Sequence, residues 1–456
     1  MYICSTKKEE RKLNTGIIAP FVEDKKVFIL SLASIVLIFL SLYNSIFGIA
    51  AFVLDIYAVF TLKPEKTIIL LSSLIPWAYI YKISILPTSL FSILVFATAL
   101  RFLHEIKKIN TYFIVLLGIF VLNVVLHFSM NDKSILLMFI KLIVNLFLLY
   151  EMCIIHKSEN FTAVLVFFVF SVLLSSIVAI SIPNRELFAN RIRQEGTFVE
   201  FQYERFKGLQ NDPNYYNSSL IICLLFLCYL FIQRKARLSF FVLSFACIYF
   251  GVLTYSKSFF IMLLMWIGVV IYYSLSKKRY SLSLFLLGIG IVGIELLFSG
   301  RIQTITILLS RFSDSSDVTT GRVDTWKMFI QHFTENPTVL LFGNGFESIV
   351  LNLHASHNSY IDMIYYFGFA GSIIFALIVR VCFQQRTGYN REPFAYIFMS
   401  FVFTIYFFLS GITMCELPFF LFFIFLFLHN SDNKQNDNEY LIVHDRTFKS
   451  KYIRDN

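Results

Sequence analysis

The sequence predicts an all-α polytopic membrane protein, and three observations predict it. Apolar runs long enough to cross ~30 Å of hydrocarbon as helices recur from residue 27 to residue 429. The chain is 57% hydrophobic and 15% charged, with 54 Phe, more apolar residue than a soluble domain with a polar surface holds. Lys and Arg gather in alternate hinges between the runs, as inner loops of membrane proteins do.

In chain order the runs place spans at 27–43, 46–62, 68–81, 85–103, 111–127, 134–155 and 161–182. They continue at 216–232, 238–254, 259–275, 281–298, 360–379, 394–410 and 413–429. The third and the last are short or closely spaced, so the expected count is twelve to fourteen. With the N-terminus inside, the basic hinges "KPEK", "RFLHEIKK", "HKSEN", "QRKAR" and "KKR" and the stretch 380–391 all fall inside. The short outer connections hold only Lys82, Lys133 and Lys257. Residues 1–26 read as a retained cytoplasmic tail, because no small-residue cleavage site follows an apolar region. Residues 27–182 form an N-terminal bundle, 216–298 the central helices, and 360–429 the C-terminal helices. The polar tail 430–456 reads as disordered and cytoplasmic. Two long connections, 183–215 and 299–359, fall outside, and function is expected there.

Several classes are excluded. A net charge of +10 comes largely from membrane hinges, so nucleic acid is not an expected partner. The seven cysteines lie mostly in or beside spans, among them Cys153, Cys223, Cys228 and Cys247, with no CxxC. That pattern indicates neither a disulfide framework nor a metal centre. There is no Walker motif, and "GIGIVGIE" (288–295) lies inside a span, where close helix packing explains it. No cofactor is expected.

The first long loop is basic: Arg185, Arg191, Arg193, Arg205 and Lys207 stand where outer loops are not normally enriched. Such charges want an anionic partner, and a fixed guanidinium is the best donor to phosphate oxygens. Asp212-Pro213-Asn214 makes a tight turn, with Pro213 placed to open the next helix.

The second long loop reads as a small folded cap. Residues 301–312 are partly amphipathic and suit a membrane surface. In 323–335, Trp326, Phe329, Ile330 and Phe333 share one helical face, preceded by Arg322. Asn336-Pro337 ends that helix, and Gly343-Asn344-Gly345 makes a turn. His354 and His357 close the cap, and Asn358 and Ser359 are placed to cap the next span. An imidazole there is able to take a proton near neutral pH and return it. Zinc on His354 and His357 is not expected, since nothing completes the ligand set.

Four stretches occur in one order: "RFKGLQNDPNYY" (205–216), "LTYSKS" (253–258), "TTGRVDTWKMF" (319–329) with "LFGNGF" (341–346), and "HNSYIDMIYYFGFAG" (357–371). In order, spacing and sidedness the chain resembles the bacterial O-antigen ligase and Wzy polymerase superfamily. The resemblance covers 205–380 and implies a GT-C-type membrane glycosyltransferase of the bacterial cytoplasmic (inner) membrane. Its active site would face away from the cytoplasm. The implied substrates are undecaprenyl diphosphate-linked oligosaccharides as donor and acceptor, with membrane lipid and a chain-length regulator protein as further partners.

By motif, Arg205 and Arg322 match the arginines associated with the diphosphate, and His357 matches the histidine proposed as base. Arg191, Arg193, Lys207, Asp212, Asn214, Lys257, Asn358 and Tyr360 are the remaining candidates for substrate contact. The family often has Ser-Arg where this chain has Ser256-Lys257; lysine keeps the charge but loses the bidentate fork. The expected activity is polymerase, with ligase as the alternative. Transport is a second class, for which mid-span Asp55, Lys141 and Glu295 are the candidate groups and Pro76 and Pro87 read as ordinary kink residues.

Overall fold

The computed structural model describes residues 19–83, 86, 88–106, 108–126, 133–156, 161–182, 189–192, 203–233, 238–276, 322–345, 356–385, 393–411 and 416–429. They are mostly helical. After a short α1 (Ala19–Glu23) come α2 (Lys25–Leu40), α3 (Ser45–Thr61) and α4 (Pro64–Leu74). Next are α5 (Leu90–Glu105), α6 (Thr111–Leu126), α7 (Lys133–Ile155) and α8 (Phe161–Ser181). A hairpin of β1 (Ala189–Ile192) and β2 (Tyr203–Phe206) precedes α9 (Pro213–Ile232), α10 (Leu238–Val252) and α11 (Lys257–Ser276). Then follow α12 (Arg322–Glu335), α13 (Pro337–Phe342), α14 (Ser359–Phe383), α15 (Pro393–Phe407) and α16 (Leu417–Leu428).

Among the described residues, five helices are long and apolar enough to cross a membrane: α7 from Leu136, α8, α9, α11 and α14. Shorter apolar helices among the described residues include α3, α6, α10, α15 and α16. The apolar helices fit a multi-pass membrane protein.

The bundle is built around α9. That helix is apolar on every side, so no face is spared for solvent, and Tyr216 through Phe231 are all buried. Phe226 stacks on Phe398 of α15 at 5.5 Å and meets Phe423 of α16 edge-on at 5.0 Å. Trp266 of α11 donates Nε1–H to Leu224 O at 2.9 Å, and Tyr216 OH donates to Ser176 Oγ of α8 at 2.6 Å. Such bonds satisfy polar groups that hydrocarbon cannot. The outer helices keep apolar side chains outward: Val53, Tyr57 and Phe60 on α3, and Ile114, Val115 and Leu122 on α6.

Three local features depart from the sequence reading. The expected third span is not one helix: α4 ends at Leu74 and a 3₁₀ turn carries Pro76. The first long loop contributes a two-stranded antiparallel sheet, pairing Asn190 with Arg205 and Arg191 with Glu204, which an all-α reading omits. On α12 the buried face is Phe329 and Phe333 with Trp326 half-buried, whereas Ile330 is 58% exposed. Ile330 lies one residue beyond Phe329, about 100° around the helix, and falls off the buried stripe.

The cap grips the membrane part at a break in α14. Gly368 has φ 65° and ψ −177° inside the helix, a conformation open only to glycine, and splits it. Asn344 N donates to Tyr365 O at 2.7 Å and Gly345 N to Tyr366 O at 3.0 Å. From inside α6, Asn123 Nδ2 reaches Phe367 O at 3.1 Å and Phe342 O at 3.3 Å. A Cβ on Gly368 would sit 2.4 Å from the Leu341 and Phe342 backbone, so the two segments touch main chain to main chain.

The segments 1–18, 183–188, 193–202, 277–321, 346–355 and 430–456 lie outside the described residues. With them go Arg185, Arg193 and His354, the surface helix expected at 301–312, the 281–298 span with Glu295, and the C-terminal tail. Pro87 also lies outside.

Candidate functional site

The chemistry-bearing residues are gathered at the end of the bundle where α9, α11, α12 and α14 begin. Several are held by the start of a helix. Asp212 N-caps α9, its carboxylate accepting from Asn214 N at 2.7 Å, and Pro213 fills the first helical position. Asn358 caps α14 by accepting from Tyr360 N at 2.9 Å and Ile361 N at 3.2 Å.

Arg205 is buried on β2 and donates Nε–H to Thr254 O at 2.9 Å, while Phe206 N donates to Leu253 O at 3.0 Å. The hairpin is thereby docked on the turn between α10 and α11. In that turn Tyr255 adopts φ 48°, and Ser256 Oγ donates to Asn214 Oδ1 at 2.8 Å. Ser258 Oγ, 2.8 Å from Ser256 Oγ, is left to donate to it. Lys257 opens α11 half-buried beside this relay.

Arg322 opens α12 with its guanidinium carbon 5.9 Å from the Phe408 ring centre. Burial lowers its pKa, and the Asp212 carboxylate opposes the shift. Burial also lowers the pKa of Lys207; Asp212 again opposes, and neighbouring Lys82 adds to the fall. One carboxylate therefore sits in the field of Lys207 and Arg322, with Lys82 close by.

Trp326 donates Nε1–H to Ser356 O at 2.9 Å, which ties α12 to the start of α14. Ser356 Oγ donates to Asp362 Oδ1 at 2.5 Å and accepts from Asn358 N at 3.0 Å. Ser359 Oγ donates to Leu409 O and accepts from Gly411 N at 2.9 Å. Tyr215 OH of α9 donates to Ser410 O at 2.7 Å. Between buried Ser356 and buried Asn358, His357 is exposed at φ 51°. Both neighbours are anchored, and the left-handed backbone turns the imidazole outward. Tyr255 and His357 are the non-glycine residues with positive φ among those described, and both stand in the motif stretches. Strain of this kind persists where surrounding contacts over-determine it, and it clusters at functional positions.

Of the residues singled out from sequence, the structure brings together Arg205, Lys207, Asp212, Asn214, Lys257, Arg322, His357 and Asn358. Tyr360 goes elsewhere: its hydroxyl donates to Phe403 O on α15 at 3.0 Å. Arg191 pairs its backbone with Glu204 in the hairpin. Sequence reading missed Lys82, Trp326 as the tie to Ser356, and the Ser356–Asp362 bond. An aspartate four residues into an apolar run was the signal available for Asp362. Among the described residues no cluster of three or more His, Cys, Asp or Glu is placed to hold a metal. The arrangement offers cations from three chain segments, a relay of hydroxyls and amides beneath them, and one outward imidazole.

A scan against family models, a search of curated proteins and a search of solved structures each find no match to this chain.

Proposed function

We propose that this protein is a GT-C-type glycosyltransferase of a bacterial inner membrane that polymerises a surface polysaccharide. It takes glycan from a polyprenyl diphosphate donor and adds it to a lipid-linked repeat unit on the extracytoplasmic face. One observation carries the reading. Arg205 with Lys207, Lys257 and Arg322, from three separate stretches of the chain, converge on one end of an apolar bundle beside an exposed, backbone-strained histidine.

The chemistry follows from these groups. The acceptor hydroxyl oxygen attacks the anomeric carbon of the donor. The bond from that carbon to the diphosphate oxygen breaks, and its electron pair leaves with the lipid diphosphate. Arg205, Arg322 and Lys207 match the charge of that leaving group. The hydroxyl proton passes to the His357 imidazole. Asn358 and Trp326 fix the histidine backbone, and Asp212 limits the field of the cations.

Deletion of the gene followed by analysis of surface glycans tests the reading. Surface glycan reduced to a single repeat supports polymerase. Accumulation of long polyprenyl-linked chains instead assigns the shared chemistry to a ligase. Unchanged glycans with a lost transport activity would overturn glycosyl transfer altogether.

A further inference from the structure

Beside the cation cluster lies a cavity of about 540 Å³ between α5, α7, the turn after α4 and the start of α9. Its walls are mainly apolar. Val95, 2% exposed, is at its back, while Phe96 and Ile140, 45% and 44% exposed, flank it on the outer face of α5 and α7. One side of the cavity is therefore lined by apolar side chains that are also exposed on the outer face of the bundle.

Two lysines line it. Lys82 holds its ammonium 4.4 Å from the Tyr79 ring centre at the turn, and Lys141 stands within a mainly apolar helix. A cation at such depth is costly and marks a ligand or ion path by default. Glu416 supplies one carboxylate. Thr88 Oγ1 also lines the cavity, buried and without a hydrogen-bond partner among the described residues. Gln210, Asn211 and Tyr215 form the wall shared with the Asp212 turn, so the cavity runs up to the cation cluster. An apolar slot edged by exposed apolar side chains, with cations and an unmatched hydroxyl among its lining, is complementary to an anionic amphiphile. Its volume falls within the ~300–1,000 Å³ of small-molecule sites, enough for a head group and the first part of a chain.

We propose that this cavity is a lipid-phosphate site. The phosphate head lies on Lys82 and Lys141, the proximal chain lies against Phe96 and Ile140, and the tail leaves between α5 and α7. In its choice of lipid, a polyprenyl phosphate, the assignment rests on the glycosyl-transfer reading; the site itself does not.

The test uses the full chain in phosphatidylcholine nanodiscs, with Phe96→benzoylphenylalanine and radiolabelled farnesyl monophosphate. Illumination should couple the probe. Unlabelled farnesyl phosphate should compete, whereas inorganic phosphate and farnesol should not. Capture should fall at least about tenfold in Lys82→Gln/Lys141→Gln, the loss expected from removing charge-assisted bonds, and persist in Arg205→Lys/Arg322→Lys. Ser92→Trp, which fills the slot from a lining position, should also abolish capture, with elution from gel filtration reporting that both variants fold. Absence of coupling, or coupling unchanged in the lysine variant, overturns the site. Equal competition by inorganic phosphate overturns the lipid assignment, and equal competition by phosphatidic acid overturns the polyprenyl assignment. Arg322→Lys should stop transfer but leave capture intact. Capture by a protein with no transfer activity counts against the proposed function and not against this site.

Discussion

The sharpest expectation concerns the backbone of His357. Its φ of 51° places an L residue in the left-handed region, which costs about 1–2 kcal/mol. Glycine removes that cost but brings about 0.4–1 kcal/mol more chain entropy to lose on folding than alanine does. His357→Gly should therefore be roughly 0.5–1 kcal/mol more stable than His357→Ala. Any contact made by the imidazole is lost equally in both, so it cancels from the comparison. Both variants lack the proposed base, and both should lose about 10²–10⁴ of the transfer rate. Detergent-purified proteins unfolded by a denaturant series give the first quantity. Turnover of a lipid-linked donor gives the second. Equal stability would refute the strain, and near-normal turnover by His357→Ala would refute the base. His354→Ala is expected to transfer normally; a dead His354→Ala beside an active His357→Ala would reverse the assignment.

Arg205→Lys and Arg322→Lys keep charge but lose the planar fork, so polymer should fall severely at normal protein level; full-length polymer from both would rule out bidentate contact. Asp212→Asn retains a capping side chain but removes the carboxylate that holds up the Lys207 pKa. A step that needs charged Lys207 fades as pH rises through that pKa, so the alkaline limb of the rate profile should move to lower pH. An unmoved limb means that Lys207 does not act as a cation in transfer. Gly368→Ala places a Cβ 2.4 Å from the Leu341 backbone at φ 65°, and should destabilise by more than about 2 kcal/mol; a wild-type unfolding curve would contradict the packing. A cysteine at exposed Asn211 should react with an impermeant thiol reagent from the extracytoplasmic side, and labelling only from the cytoplasmic side would invert the proposed orientation.

Much of the helical layout was legible because hydrocarbon demands long apolar runs and a bundle core tolerates nothing else. Helix starts were legible where chemistry marks them, as at Asp212-Pro213 and Asn358. The hairpin was not, since Arg- and Glu-bearing strands of four residues show no alternating apolar face. Nor was the break in α14: the sequence shows glycines at 368 and 371 but not which of them departs from the helix. Asn123 was passed over, though an amide inside an apolar run is itself a flag for a special partner. For the site, the motif stretches led to Arg205, Arg322 and His357. Lys82 and Trp326 emerge only when distant segments fold together.

The break at Gly368 has a mechanical consequence. Carbonyls of Tyr365 and Tyr366 are bound by the cap, and those of Phe367 and Phe342 by Asn123. Lifting residues 342–345 would strand the Tyr365, Tyr366 and Phe342 carbonyls in an apolar surrounding, at several kcal/mol each. The described part of the cap around residues 342–345 is thus welded to the first turns of α14 as a fixed seam. Under the proposed function, a lipid-linked substrate would therefore enter beside this seam, by sideways motion in the plane of the bilayer, and not by its opening.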